Sequence, residues 1–255
     1  MTKNPMDLTG CRYLVTGASS GIGRETAIVL DELGASLVLT GRRQDELEKT
    51  AAKLSKPSHI EVMDLSHTAE IPAWLKRVVL ATGPLDGAVH SAGIGDVEPL
   101  QFLTEIKFQK TIDINLKAAI NLAKSYRQKG ICRKPGSLVF ISSIGAMMGM
   151  PGKIAYSASK AGLEAACRCM AIELAREDIR VNAVVPGLVE TEMAQRLIES
   201  STTEQIAHLR SLHPLNLGKA RDVAYAIAFL LSRETGRWIT GTSLVVDGGC
   251  LAGFL

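Results

Sequence analysis

Short apolar runs alternate with amphipathic stretches along nearly the whole chain, and this alternation constrains the fold more than any other feature. The apolar runs are rich in Val, Ile and Leu, which is typical of strands buried on both faces. The stretches between them carry apolar residues at helical spacing. Such a chain is expected to form a parallel sheet with helices on both faces, and right-handed crossovers make it doubly wound.

The predicted elements follow from this alternation and from Gly and Pro at its boundaries. Strands are predicted at residues 12–16, 36–40, 59–63, 86–90, 137–142, 180–185 and 243–246. Helices are predicted at residues 21–33, 44–54, 71–81, 103–128, 155–177 and 221–232, with one or two mobile helices over 191–212. The fold class is therefore α/β with a seven-stranded parallel sheet.

Composition excludes several classes of protein. The 255 residues are 46% hydrophobic and 22% charged, which suits one large core, so we expect a single domain over 1–255. A net charge of +3 without a basic, aromatic-rich tract argues against nucleic acid. No apolar run of membrane-spanning length and no secretory segment are visible. The five cysteines lack a framework spacing, so we expect reduced thiols, no metal and a cytoplasmic location.

A glycine-rich turn stands between the first predicted strand and the first predicted helix. Its glycines permit a tight turn and a close approach of the backbone to a pyrophosphate, and the helix start supplies free N–H groups. The hydroxyls of Ser19 and Ser20 can add hydrogen bonds. We predict a dinucleotide cradle of Rossmann type formed by Gly17, Ser19, Ser20, Gly21, Ile22 and Gly23.

The end of the second strand indicates which dinucleotide binds. NAD sites often place an acid there, whereas here Thr40 is followed by Gly41, Arg42 and Arg43, with no acid before Asp45. An arginine can bind a 2′-phosphate with charge-assisted hydrogen bonds. We predict that NADP(H) is preferred over NAD(H), that Arg42 holds the phosphate and that Arg43 points to solvent. The alternative is that both are surface arginines.

Tyr156 and Lys160 are four residues apart at the start of a predicted helix, so they share one face. A nearby ammonium favours a phenolate, and a phenol tuned in this way can give or take a proton. Ser143 could hydrogen-bond the oxygen that receives the proton. Tyr-x-x-x-Lys also occurs by chance on many helices, so the pair alone does not decide the chemistry.

Several motifs occur in one order along the chain: the glycine-rich turn, His90-Ser91-Ala92-Gly93, Asn115, Ser143, Tyr156-x-x-x-Lys160, Pro186-Gly187 and Val246-Asp247-Gly248-Gly249. Together they resemble the short-chain dehydrogenase/reductase family, at that family's usual spacing. The stretches 212–224 and 239–242 resemble the 3-oxoacyl-acyl carrier protein reductase type within it. The resemblance implies an oxidoreductase that transfers a hydride between a nicotinamide and a carbonyl or alcohol.

The resemblance also implies roles for the matching positions. Tyr156 would be the acid/base, Lys160 would lower its pKa and hold the nicotinamide ribose, and Ser143 would orient the substrate oxygen. Asn115 would hold a water that links Lys160 to solvent; Asn is a poor interior helix residue, so its place there needs an explanation. The remaining cofactor contacts would come from Asp64, Leu65, Ala92, Gly93, Pro186, Gly187, Val189 and Thr191.

Two positions depart from the family pattern. His90-Ser91 stand where Asn-Asn is common, so His90 is either an extra proton relay or a hydrogen-bonded strand residue. Ser20 stands where many NADP-preferring relatives carry Lys or Arg.

The substrate stays open. Met147, Met148 and Met150 could line an adaptable apolar site or be buried against a mobile lid over residues 188–216. An acyl carrier protein partner would need basic residues near the mouth, for which Arg127, Lys129, Arg133 and Lys134 are candidates. The family implies a homotetramer through helices 103–128 and 155–177 and the C-terminal strand and tail. A non-catalytic dinucleotide sensor and a sugar-nucleotide epimerase are the competing classes.

Overall fold

Parallel strands form the central sheet of the computed structural model, which describes residues 4–199 and 202–254. In chain order the strands of the described residues are β1 (Arg12–Thr16), β2 (Ser36–Gly41), β3 (His59–Val62), β4 (Leu85–His90), β5 (Cys132–Ile141), β6 (Ile179–Pro186), β7 (Val189–Glu190), β8 (Gly218–Lys219) and β9 (Ser243–Val246). Seven of them pair in the order β3-β2-β1-β4-β5-β6-β9, and β7 pairs with β8 in a separate short ribbon. The seven-stranded doubly wound sheet is confirmed.

The helices alternate with these strands as predicted. They are α1 (Gly21–Glu32), α2 (Gln44–Ala51), α3 (Ile71–Thr82), α4 (Glu105–Ile112), α5 (Ala118–Tyr126), α6 (Ile154–Ala175), α7 (Glu192–Glu199), α8 (Thr203–Ser211) and α9 (Ala220–Leu231). The stretch predicted as one or two helices over 191–212 is α7 and α8, apart from residues 200 and 201, which lie outside the described chain. A capping box formed by Thr202 and Gln205 begins α8.

The prediction of one continuous helix over 103–128 is wrong. Thr104 caps α4 by accepting a hydrogen bond from Lys107 N, so the helix begins at Glu105. Between α4 and α5 lies a π-helical turn, Asp113–Lys117, in which Ala118 N donates to Asp113 O. Such turns insert one extra residue and are frequent at functional sites. Asn115 lies in this turn, which resolves why a poor helix former interrupts a long helical pattern.

Alternate residues of each strand bury opposite faces of the sheet. On β1, Leu14 packs into the core that α3, α5 and α6 cover, whereas Tyr13 and Val15 pack into the core that α1 and α9 cover. Trp74 of α3 is fully buried in the first core. Each large apolar side chain buried in this way stabilises the fold by about 1.5–3 kcal/mol. The two cores hold the carboxyl ends of the strands rigidly in register.

Within the described ranges, no helix is long and apolar enough to cross a membrane.

The direction of strand addition reverses between β1 and β4, which are neighbours in the sheet. Open α/β sheets bind ligands at such a reversal, outside the carboxyl ends of the strands. The predicted site residues follow those strand ends.

Candidate active site

The glycine-rich turn leaves the carboxyl end of β1 and packs tightly on the loop that follows β4. Gly17 has φ +66°, and a Cβ atom on it would lie 2.8 Å from Ala92 N. A Cβ on Gly23 would lie 2.2 Å from Gly17 O, so the first turn of α1 touches the strand end directly. Both positions accept only glycine, which confirms close backbone packing as the local reason for the glycine spacing.

The start of α1 is open to an anionic group. Ser20 is its N-cap, but no side chain caps the helix and no acid lies in its first turn. The uncapped N–H groups and the positive end of the helix dipole suit a phosphate. A Cβ on Gly21 would lie 3.2 Å from Thr191 Cγ2, so the structure brings the predicted contact Thr191 to the cradle. The backbone geometry of this turn suits a dinucleotide pyrophosphate, whereas the Glu192 carboxylate opposes it by charge, since its Oε2 would lie 3.5 Å from a Cβ on Gly21.

The two arginines after β2 are both exposed. Arg43, which we expected to point to solvent, also donates from Nη2 to Ser19 Oγ at 3.2 Å. Arg42 lies near Asp64; burial opposes, but a hydrogen bond from Ser66 N and the charge of Arg42 hold the pKa of Asp64 below its ordinary value. Arg43 therefore reaches the cradle, and Arg42 lies on the side where strand β3 ends.

A third arginine, Arg24, was not predicted as part of the site. Its Nε donates to Thr50 Oγ1 at 3.1 Å, its guanidinium pairs with Glu46 at 2.5 Å, and it also donates to Ser19 O. It reaches Glu192, the first residue of α7, at 3.5 Å. Its place in the sequence, directly after the Gly-x-Gly of the cradle, could have indicated that it belongs to the site. Arg24 thus joins α1, α2 and the start of the predicted lid.

The three predicted contacts after β3 and β4 have different surroundings. Leu65 is buried in the core that α3 covers, so only its backbone is available to a nucleotide. Ala92 and Gly93 follow β4, and a Cβ on Gly93 would lie 3.2 Å from Asn115 Oδ1 and 3.4 Å from Lys160 Nζ. The loop after β4 thus touches both the cradle and the predicted catalytic residues.

Tyr156 and Ser143 meet at the carboxyl edge of the sheet. Ser143 follows β5 and caps a short 3₁₀ turn, where its Oγ accepts from Gly145 N at 3.1 Å. Tyr156 lies in the first turn of α6. Burial raises the pKa of the Tyr156 phenol above its ordinary value, and its hydrogen bond with the Ser143 hydroxyl opposes this. The net direction is opposite to the lowering that Lys160 was expected to cause.

Lys160 lies one helical turn beyond Tyr156 and is almost fully buried. Its Nζ donates to Ile141 O, at the end of β5, at 2.7 Å, and lies 5.7 Å from the centre of the Tyr156 ring. Burial lowers the pKa of Lys160 to about 8. The ammonium is therefore held beside the phenol and can change charge near neutral pH.

Asn115 has both N–H donors of its side chain engaged by protein groups. Nδ2 donates to Ile94 O and to Ser159 Oγ, each at 2.9 Å, and Oδ1 accepts from Ile94 N at 2.9 Å. Asn115 thereby fixes the loop after β4 against α6. The water-holding role that the resemblance implies stays a prediction, and for this side chain it is restricted to Oδ1.

Lys153 completes the surroundings of Tyr156 and was not predicted. Its Nζ lies 5.6 Å from the centre of the Tyr156 ring and donates to Gly95 O. Burial lowers its pKa, and Asp96 opposes this. A Cβ on Gly95 would lie 3.2 Å from two ring carbons of Tyr156. Two ammonium groups thus lie within 6 Å of the centre of the Tyr156 ring. The sequence could have indicated the second one, because Lys153 stands three residues before Tyr156.

A family model described as enoyl-(acyl carrier protein) reductase matches residues 17–250. The 3-oxoacyl-[acyl-carrier-protein] reductase FabG of Rickettsia prowazekii is 37% identical over 246 residues, which are 96% of this chain and 99% of that protein. The chain belongs to the short-chain dehydrogenase/reductase family. Oxidoreductase UcpA of Salmonella typhimurium is 35% identical over 251 residues, covering 95% of each chain. A dehydrogenase/reductase structure from Sinorhizobium meliloti aligns with a TM-score of 0.89 at 28% identity, over 96% of this chain and 97% of that one.

This short-chain dehydrogenase/reductase is thus an oxidoreductase with relatives close to the 3-oxoacyl-acyl carrier protein reductases. Its predicted cofactor contacts after β6 lie at the start of the predicted lid region. Gly187 N donates to Val246 O at 3.1 Å after Pro186, and Val189 begins the β7–β8 ribbon. Thr191 Oγ1 donates to Val189 O at 3.3 Å.

His213 supports this loop of the short-chain dehydrogenase/reductase, although it was not predicted to do so. Its Nδ1 donates to Leu209 O at 2.9 Å, and its Nε2 accepts from Leu188 N at 3.0 Å. His213 lies in the stretch 212–224, and the family resemblance of that stretch could have indicated a role for it. It connects the end of α8 to the start of the predicted lid.

The basic residues suggested for an acyl carrier protein do not lie at the mouth. They surround the end of α5 and the start of β5, at the amino edge of the sheet, whereas Tyr156 and Ser143 lie at the carboxyl edge. Arg127 and Lys134 pair with Glu177, and Arg133 pairs with Asp86 at 3.3 Å. That suggestion was wrong, because the direction of β5 places the two regions on opposite edges.

The three methionines that follow Ser143 in the chain were expected either to line an apolar substrate site or to be buried, and they differ in exposure. Met147 is 49% exposed. Met148 packs against the small core of Ile144, Val185 and Cys250. A Cβ on Gly145 would lie 2.4 Å from Met150 Cε, so Met150 folds back onto the same turn. Of the three, Met147 is the exposed side chain available to a substrate.

Proposed function

We propose that this protein is an NADP(H)-dependent oxidoreductase that transfers a hydride between the nicotinamide and a carbonyl or alcohol substrate. The observation that supports it best is the convergence of the Tyr156 phenol and the Ser143 hydroxyl, with the buried ammonium of Lys160 beside them. Two hydroxyls that converge beside a cation can bind a carbonyl oxygen and protonate it.

The proposed reaction divides the work between three side chains. Ser143 donates a hydrogen bond to the carbonyl oxygen and orients it. Tyr156 donates its phenolic proton to that oxygen as negative charge develops there. Lys160 stabilises the resulting phenolate by its charge. NADPH, when bound, supplies the hydride that the carbonyl carbon receives, so the alcohol forms with one proton and one hydride; oxidation is the reverse.

The cofactor preference is supported by charge at the end of β2. Arg42 and Arg43 follow the strand, the next acid is Asp45, and Arg43 contacts Ser19 on the cradle. Two cations directly after the strand favour the 2′-phosphate of NADP(H) over a free ribose hydroxyl. NAD(H) would bind the same backbone cradle without that contact.

A 3-oxoacyl thioester is the more specific substrate that the relatives suggest. The FabG proteins to which the chain is similar are described as 3-oxoacyl-[acyl-carrier-protein] reductases. The exposed Met147, four residues after Ser143 in the chain, suits the acyl chain of such a substrate. The four basic residues suggested for carrier docking lie at the opposite edge of the sheet, so the thioester and not the carrier is the part of this proposal that we develop.

We also propose that the protein is a homotetramer located in the cytoplasm. Large apolar side chains are exposed on α4, on α6 and five residues before β9, and we propose that subunit contacts cover them. They include Ile106 on α4 (81% exposed), Ile172 on α6 (75%) and Trp238 (92%). All five cysteines are free, as expected of a reducing compartment.

The test is a panel of ketones, aldehydes and 3-oxoacyl thioesters, each mixed with the purified protein and NADPH while the absorbance of NADPH is followed. We expect turnover with at least one carbonyl class and slower turnover with NADH. Turnover that Tyr156→Phe retains would contradict the assigned acid. A protein that binds NADPH but reduces nothing in the panel would favour the non-catalytic sensor.

A further inference from the structure

We propose that His90 is a positioning residue that holds the π-helical turn of Asn115 against the phosphate cradle. In this way it sets where Asn115 stands relative to Tyr156 and Lys160. The inference rests on the proposed function, because the catalytic roles of those residues belong to it. His90 ends β4, directly before the loop that touches the cradle, and it is 1% exposed.

The hydrogen bonds of His90 are satisfied by one arrangement of protons. Ala92 N donates to Thr16 Oγ1 at 3.1 Å. The Thr16 hydroxyl lies 3.1 Å from His90 Nδ1 and can give its own proton to that atom. The ring proton is then on Nε2, which donates to Ile114 O at 3.3 Å. We assign this tautomer from its partners, because it is the neutral form that completes all three bonds.

The carbonyl that His90 holds belongs to the π-helical turn. Ile114 is the second residue of that turn, and Asn115 is the third. From Asn115 the hydrogen bonds continue to Ser159 Oγ at 2.9 Å, and Ser159 Oγ donates to Tyr156 O at 2.6 Å. A connected series of buried bonds therefore runs from the end of β1, through His90, to the first turn of α6. Such fully satisfied networks rigidify a site.

The surroundings of His90 favour a positioning role and disfavour proton transfer by its ring. Burial and the charge of Lys160 lower the pKa of His90 to about 3, so the ring stays neutral near pH 7. Both ring nitrogens are already engaged, and Phe140 packs against the ring edge with the centroids 6.4 Å apart. Of the two alternatives from the sequence, the hydrogen-bonded strand residue is favoured over the proton relay.

The network extends to the loop that walls the site. Asn115 fixes Ile94 through two hydrogen bonds, and Gly95, the next residue, packs on the Tyr156 ring. A shift of the π-helical turn would therefore move the loop and the phenol together. Displacing a reacting group by 1 Å can cost about 100-fold in rate. The expected consequence of losing the His90 bonds is a loss of kcat.

The experiment compares His90→Phe with a matched control, a tyrosine of α5 that hydrogen-bonds the same strand. Tyr126→Phe removes one buried hydrogen bond, from Tyr126 Oη to Leu85 O at 3.3 Å, at the opposite end of β4. His90→Gln restores a side-by-side acceptor and donor and serves as the conservative variant. The readouts are steady-state kinetics with NADPH and acetoacetyl-coenzyme A, and local hydrogen exchange of residues 113–117 by mass spectrometry.

In His90→Phe we expect kcat to fall about tenfold or more, because displaced catalytic groups cost rate, with KM for NADPH nearly unchanged. Exchange at 113–117 rises in this variant but not in Tyr126→Phe, and His90→Gln recovers both properties in part. Unchanged kcat, or faster exchange in both Phe variants alike, would overturn the proposal. If the wild type does not reduce the thioester, the substrate proposal fails, and the exchange readout alone still decides whether His90 positions the turn.

Discussion

Lys160 Nζ donates to the carbonyl oxygen of Ile141 at 2.7 Å, which fixes the ammonium at the end of β5 and 5.7 Å from the centre of the Tyr156 ring. The bond joins the helix that carries the phenol to the strand that precedes Ser143. Because the lysine is buried, its charge is weakly screened and costly to maintain. The same bond therefore has consequences for the stability of the protein and for its chemistry.

Lys160→Met should be more stable than the wild type at pH 7 and lose that advantage as the pH rises. Burial lowers the folded-state pKa of Lys160 from 10.5 to about 8. Between these values the unfolded chain holds a proton that the folded chain has released, so wild-type stability rises with pH across this window. The gain at pH 7 is at most about 3 kcal/mol, reduced by about 1 kcal/mol for the lost hydrogen bond.

The measurement is the free energy of unfolding of both proteins at pH 7 and pH 10. Lys124→Met, the same exchange at an exposed position of α5, is the control. A Lys160→Met variant that is less stable at pH 7, or whose difference does not vary with pH, would show that the buried charge is compensated.

Tyr156→Phe should remove turnover and leave NADPH binding nearly unchanged. The phenol contributes a proton, and positioned acid catalysis is worth about 100- to 10,000-fold in rate. The ring itself, which packs on Gly95, is retained in this variant. We would measure kcat by NADPH absorbance and Kd by the fluorescence of bound NADPH, with Tyr225→Phe, an exposed tyrosine of α9, as control. A kcat within threefold of the wild type would remove Tyr156 from the reaction.

The arginine that binds the cofactor phosphate can be identified by a pair of charge reversals. Arg43 contacts Ser19 on the cradle, whereas Arg42 lies near Asp64. Charge-assisted hydrogen bonds are worth about 1.5–3 kcal/mol, so replacing the binding arginine by Asp should lower the NADPH-to-NADH ratio of kcat/KM by about 10- to 100-fold. The contact with Ser19 makes Arg43→Asp the stronger variant.

Arg237→Asp is the matched control for this pair, because Arg237 lines a pocket with Tyr13, Asp86 and Asp178 at the amino edge of the sheet. An unchanged ratio in both Arg42→Asp and Arg43→Asp would mean that neither arginine holds a 2′-phosphate. A larger effect at Arg42 would restore the assignment made from sequence alone.

The sequence predicts best what depends on neighbours along the chain. Strand β1 was predicted with its observed ends, and Tyr156 and Lys160 share a helix face because helical spacing alone places them there. The π-helical turn was not predictable, since one inserted residue changes the periodicity of 103–128 very little. The contacts of Asn115 with Ile94 and Ser159 join residues far apart in sequence.

The arginines illustrate the same limit. The sequence cannot distinguish Arg42 from Arg43, because two adjacent arginines follow β2. The packing of the cradle decides that Arg43 reaches Ser19. The sequence also did not predict that the pKa of Tyr156 is raised. Burial is a property of the whole fold, and its effect on this pKa outweighs that of the Ser143 hydroxyl.

Gly23→Ala should both destabilise the protein and weaken NADPH binding. A Cβ at this position would lie 2.2 Å from Gly17 O, so α1 must move away from β1 and distort the cradle. Overpacking of this kind costs about 1–3 kcal/mol. Gly149→Ala is the control, because a Cβ there would meet no atom within 4 Å. Thermal unfolding and NADPH titration measure the two effects. Normal NADPH affinity in a destabilised Gly23→Ala variant would contradict the cradle as the pyrophosphate site.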